Sequence, residues 1–174
     1  MKENPLNEIY KLIGQMVEAC QYIEAMFQQI IAFQRILDSD YDEEKETVNG
    51  VPLETYILEH KDEIANDYKK AFEMCLGNAT SKVFSMHDFP QSLVNAILKV
   101  IKERNRIIHY YFKETDFYTQ WNNEKFMKNQ VAYLQNRVDK ARNVCDQLRL
   151  ALGAELWVDR WDKQLGDHKK INKK

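Results

Sequence analysis

A chain of 174 residues suits one domain and is long enough to bury a core without disulfides or metals. Charged residues make up 30% of it against five glycines and three prolines, a balance that favours helices over strands or disorder. The net charge of −2 excludes a global basic field, so any contact with nucleic acid has to rest on a local patch.

The first element opens at Asn4-Pro5, a capping residue followed by proline at the first helical position. Apolar residues then recur at Leu6, Ile9, Ile13, Met16, Cys20, Ile23, Phe27, Ile30 and Leu37, which predicts one long helix over 5–37. The acidic run from Asp38 to Glu44 reads as a solvated loop. Asn49-Gly50 signals a turn, and Pro52 opens a second helix. Its face is Leu53, Tyr56, Ile57, Ile64, Tyr68, Phe72 and Cys75, and its end is Gly77-Asn78. Residues 79–90 read as loop. A third helix covers about 91–113, and a polar turn follows over 116–123. A fourth helix carries Phe126, Val131, Leu134, Val138, Ala141, Cys145, Leu148 and Leu152, with Gly153 closing it. The tail over 153–174 holds Trp157, Trp161 and a lysine-rich end that reads as solvated. No alternating strand pattern stands out. The whole predicts a single all-α domain over 1–174, an up-and-down bundle of four to five helices with its core over about 5–152.

Cys20, Cys75 and Cys145 lie far apart in apolar helical contexts and read as three buried structural thiols, without the spacing of a zinc or redox motif. The odd count and the absence of a signal-peptide pattern predict a cytoplasmic protein. No apolar run is long enough to span a bilayer. His60, His87 and His168 lack partners at metal-ligand spacing and read as structural or solvated. Phosphate-loop, dinucleotide and nucleophile-elbow motifs are missing, so NTPase, Rossmann and α/β-hydrolase readings lose their support.

The third helix is the informative one. At about 100° per residue, Val94, Ile97, Leu98, Ile101, Ile108 and Phe112 share a face. Arg104 and Asn105 fall on the same stripe, and His109 sits beside it, one turn after Asn105. Lys102 and Glu103 face away from Arg104's stripe and read as ordinary surface charge. Burying an unpaired arginine is costly, so three polar groups at one place on an apolar face suggest a polar cleft or an interface pocket. The alternative is structural: Arg104 paired with a bundle carboxylate and His109 a satisfied boundary histidine.

The run Arg104-Asn105-Arg106-Ile107-Ile108-His109 resembles the R-x(4–6)-H signature of the HEPN superfamily, including a polar residue directly after the arginine. Tyr110-Tyr111 extends it to R-x4-H-x-Y, which looks like the HepT group of HEPN toxins, and the helix order is similar over about 5–152. The resemblance implies a homodimeric endoribonuclease of a toxin–antitoxin or phage-defence setting that needs no metal or cofactor. It also implies a composite site across the two-fold axis and a nucleotidyltransferase antitoxin that modifies Tyr111 with AMP. The acidic connection and the tryptophan-containing tail depart from the compact HepT pattern.

The chemistry of the residues is consistent with that activity. A ribose 2′-OH can attack its neighbouring phosphate, leaving a 2′,3′-cyclic phosphate and a 5′-hydroxyl. His109 suits general acid/base work near neutrality, and Arg104 suits charge stabilisation on phosphoryl oxygens. Asn105, four residues before His109, suits orienting the imidazole or the phosphate. Tyr111 lies by the site in this reading, or else is a boundary aromatic with a wet hydroxyl. Other functions compatible with the sequence are a non-catalytic HEPN-like module that binds RNA, nucleotide or a protein, and a purely structural bundle.

Overall fold

A computed structural model describes residues 4–42 and 44–152, apart from the Leu37 side chain. The fold is all-α. The order is α1 (Pro5–Ala32), α2 (Gln34–Leu37), β1 (Tyr41–Asp42), β2 (Thr47–Val48), β3 (Val51–Pro52), α3 (Leu53–Glu59), α4 (Lys61–Phe72), α5 (Leu76–Met86), α6 (Gln91–Glu114), α7 (Phe117–Gln120) and α8 (Glu124–Ala151). Gly153, Trp157, Trp161, His168 and the lysine-rich end lie outside the described residues. No described helix is long and apolar enough to cross a membrane.

Contacts cluster into two compact units. One comprises the described residues of Met1–Tyr22 and Phe89–Lys174, the other Ile23–Asp88. In the first, Asn4 caps α1 as the sequence predicts, its Oδ1 accepting the Leu6 N–H at 3.0 Å. Ile9, Leu12, Met16 and Cys20 then bury one face of the helix. Asn123 caps α8 in the same manner, accepting the Phe126 N–H at 3.1 Å. Glu103 on α6 meets Arg137, and Tyr111 meets Gln130, so α6 and α8 run antiparallel. Each presents a seam with alternating spacings of three and four. On α8 it is Met127, Leu134, Val138, Ala141, Cys145 and Leu148; on α6 it is Leu93, Ile97, Val100, Ile107 and Tyr111. Burying each large member of such a seam contributes roughly 1.5–3 kcal/mol.

That seam corrects the predicted face of the third helix. Leu93, Val100 and Ile107 are buried, whereas Leu98 is 48% and Ile108 39% exposed. The residues Val94, Leu98, Ile101, Asn105, Ile108 and Phe112 form a second stripe of identical spacing, shifted by one residue and so by about 100°. Of the apolar residues on the predicted face, Ile97 alone belongs to the buried seam, and Arg104 falls in line with it.

In the second unit the predicted 5–37 helix stops at Ala32, and the short α2 follows after Phe33. The acidic connection is partly strand. β1, β2 and β3 form an antiparallel meander that pairs Tyr41 with Val48 and Val48 with Val51. Asn49 (φ 52°) and Gly50 (φ 77°) make its two-residue turn, with the positive φ at both positions that a type I′ hairpin requires. The predicted second helix is interrupted at His60, where α3 ends and α4 begins. Gly77-Asn78 does not terminate a helix. It lies inside α5, which forms over the predicted loop because Leu76, Ala79, Thr80 and Val83 bury one helical face. The buried Gln28 donates through Nε2 to the Phe72 carbonyl (3.5 Å) and the Met74 carbonyl (2.9 Å) at the α4–α5 junction. Arg35 pairs with Glu63 at 2.8 Å and Asp67 at 3.2 Å.

The cysteines split. Cys20 and Cys145 are buried as predicted, but Cys75 at the start of α5 is exposed. Burial, with the nearby Cys20 thiol adding to it, pushes the Cys145 thiol up to about 12, so it stays protonated and inert.

Candidate functional site

α6 positions all four residues singled out by the sequence, and its geometry distributes them. Arg104 occupies the inner seam at the position between Val100 and Ile107 that an aliphatic residue would otherwise fill. It is half-buried. Its Nη1 donates to Asn105 Oδ1 at 2.9 Å, and its buried Nε has no hydrogen-bond partner. Among the described residues no carboxylate lies within ion-pairing distance of it, although Arg35, Arg106 and Arg137 each have one. The structural alternative requires such a partner for Arg104.

Asn105 is exposed on the outer stripe, between Ile101 and Ile108. His109 is exposed too, with its ring edge-on to Tyr110 at 6.1 Å. It opens onto a cleft of about 420 Å³ whose lining includes Tyr110, Lys113, Asp116 and Tyr118 but neither Arg104 nor Asn105. Five residues apart, Arg104 and His109 point about 140° away from each other around the helix axis. One copy of the chain brings Arg104 and Asn105 together and leaves His109 on its own side.

Tyr111 departs furthest from the sequence reading. It is 3% exposed, a member of the inner seam, and its hydroxyl is not wet but donates to Gln130 Oε1 at 3.0 Å. Burial, and then the neighbouring Tyr133, push its phenol well above the ordinary range. At this position Tyr111 ties α6 to α8.

Glu103 is the residue the sequence misassigned. It is not ordinary surface charge: it is half-buried, accepts from the Tyr133 hydroxyl at 3.3 Å and lies 3.2 Å from Arg137 Nε. That contact is an ion pair without the alignment of a hydrogen bond. The Arg137 guanidinium also stacks over the Tyr133 ring at 4.7 Å. The i,i+4 pair Tyr133/Arg137 was visible on the fourth helix, but only the pairing of α6 with α8 gives it a carboxylate. Lower on the same seam a cleft of about 180 Å³ carries Lys99 and Lys140 on its rim, next to Arg137. Glu103 lines the same cleft and neutralises Arg137, which leaves the two lysines as its unpaired cations among the described residues.

His60, read from the sequence as structural or solvated, packs its ring on Tyr56 at 4.4 Å and sits 3.4 Å from Glu63. Among the described residues no three His, Cys, Asp or Glu side chains gather as a metal site. No family model, no curated protein and no solved structure matches this chain.

Proposed function

We propose that the chain is a metal-independent endoribonuclease of the HEPN type, acting as a homodimer whose site is composed from α6 of both copies. The carrying observation is Arg104: a half-buried guanidinium set into an apolar seam and, among the described residues, left without a carboxylate. A charge kept there at a cost to packing is explained by a ligand that is anionic, and a phosphodiester is one. The resemblance of Arg104 to His109 to the family signature supplies the reaction class.

In this reading His109 takes the proton of a ribose 2′-OH as that oxygen attacks the adjacent phosphorus. Arg104 stabilises the charge on the phosphoryl oxygens, and Asn105 fixes the guanidinium through the bond already present. The 5′-oxygen leaves with a proton from the second copy's His109, giving a 2′,3′-cyclic phosphate and a 5′-hydroxyl. Two copies are needed because a single one points Arg104 and His109 apart. The outer stripe of α6, with Leu98 and Ile108 exposed, supplies an apolar surface on which a two-fold pair can form. An antitoxin that modifies Tyr111 first has to break the Gln130 hydrogen bond and draw the phenol out of the seam.

The test is cleavage of a mixed RNA in EDTA by wild type and by folded Arg104→Ala and His109→Ala proteins. Both variants are expected to lose at least about 100-fold in rate, and the products to carry cyclic-phosphate ends. A folded, dimeric wild type that leaves RNA intact ends the catalytic reading in favour of the non-catalytic binding module.

A further inference from the structure

The cleft beside His109 has features that general acid/base chemistry does not use. Its far wall is the loop entering α7, where Asp116 takes a left-handed conformation (φ 49°, ψ 33°). The Asp116 carbonyl accepts from the Thr119 N–H (3.0 Å) and the Thr119 hydroxyl (2.8 Å), which holds the loop in place. The Asp116 carboxylate itself makes no ion pair with any described residue. Tyr118 is 78% exposed, its ring 6.3 Å from Phe112, and Tyr110 on the near wall is 53% exposed. Lys113 lines the same cleft, also without an ion pair among the described residues. At about 420 Å³ the space falls in the range of small-ligand clefts, about 300–1,000 Å³.

We infer that this cleft holds one unpaired guanine of the substrate next to the scissile phosphate, an inference that rests on the ribonuclease reading for its RNA. Large exposed tyrosine rings are stacking platforms for bases, and a lysine beside them suits a phosphate. A carboxylate only accepts hydrogen bonds, so it selects base edges that donate. Of the four RNA bases, guanine alone offers two adjacent donors on its Watson–Crick edge, N1–H and the N2 amino group, one for each oxygen of Asp116. That edge is free only in unpaired RNA. Tyr118 therefore carries the base, Asp116 reads it, and Lys113 holds the backbone.

Binding is measured by fluorescence anisotropy with single-stranded 2′-deoxy hexamers that differ in one central base and lack the attacking hydroxyl. The dG hexamer is expected to bind about tenfold tighter than its dA, dC and dT counterparts. Asp116→Asn, which accepts the left-handed conformation as readily, is expected to abolish that preference while keeping the fold. Tyr118→Ala is expected to weaken every hexamer about tenfold. A wild type without base preference, an Asp116→Asn protein that keeps it, or a Tyr118→Ala protein that binds normally overturns the inference. So does a folded protein that binds no hexamer, which would return the exposed rings to a protein contact. The two readings fail separately: selective dG binding with uncut RNA defeats the ribonuclease alone, and RNA cut equally at every base defeats the guanine pocket alone.

Discussion

The two stripes of α6 have the same spacing, similar composition and a polar residue at the same step, yet opposite fates. Leu93, Ile97, Val100, Arg104, Ile107 and Tyr111 face into the α1–α6–α8 unit; Val94, Leu98, Ile101, Asn105, Ile108 and Phe112 stay partly or largely exposed. The inner stripe stabilises the fold and carries its one charge at a cost. The outer stripe packs at its C-terminal end, where Phe112 meets Tyr10 and Phe117, and leaves Leu98 and Ile108 exposed. The lesson is that hydrophobic periodicity identifies a helix without deciding which of two neighbouring stripes becomes core.

Substitutions separate the stripes most sharply through stability. Ile97→Ala and Leu134→Ala, both fully buried, are expected to lower unfolding free energy by roughly 2–5 kcal/mol each in urea titrations. Leu98→Ser and Ile108→Ser should each stay within about 0.5 kcal/mol. The same outer pair, combined, should convert a dimer to monomer in sedimentation velocity and remove cleavage with it. An outer-stripe loss as large as the inner one would erase the distinction.

The arginines give a second, smaller contrast. Arg137→Met leaves Glu103 half-buried without its cation and is expected to cost about 1–3 kcal/mol. Arg104→Met removes a charge without a described carboxylate partner and is expected to be neutral or stabilising while activity disappears. Destabilisation by Arg104→Met to the level of Arg137→Met would make Arg104 a structural residue.

A pH-dependent contrast concerns Tyr111 on the inner stripe. Its phenol is raised in the folded state, so the neutral form is the one the fold favours. That stabilisation is complete below the unfolded value near 10 and is lost as pH rises beyond it. Tyr111→Phe should cost about 1 kcal/mol at neutral pH, through the Gln130 bond, and should flatten the decline in melting temperature above pH 10.

What was legible in the sequence was local. Asn4 caps α1 through its own side chain, Asn49-Gly50 needs only its own backbone to turn, and the long apolar repeats of α1, α6 and α8 need only helical spacing. What was missed depended on partners. Gly77-Asn78 looked like a stop, yet the burial of Leu76, Ala79 and Val83 carries α5 through it. Two-residue strands leave no alternation to read. Of the candidate site, Arg104, Asn105 and His109 stood out because they interrupt a stripe. The burial of Tyr111 and the engagement of Glu103 became visible only once α8 was laid beside α6.

The unit that carries α6 is assembled from both sides of an intervening stretch of chain, and this has a consequence during translation. Cys145 Sγ reaches the Ala19 carbonyl at 3.4 Å across a separation of 126 residues. A ribosome adding about 5–20 residues per second takes roughly 6–25 s to cover that distance. Until α6 and α8 have been made, Ile9, Leu12 and Met16 wait without their partners in that unit, whereas residues 23–88 are contiguous in the chain. The first α1 turns therefore stay without their distant partners for most of synthesis, whereas residues 23–88 need no residue from outside that stretch to be made before their own mutual contacts can form.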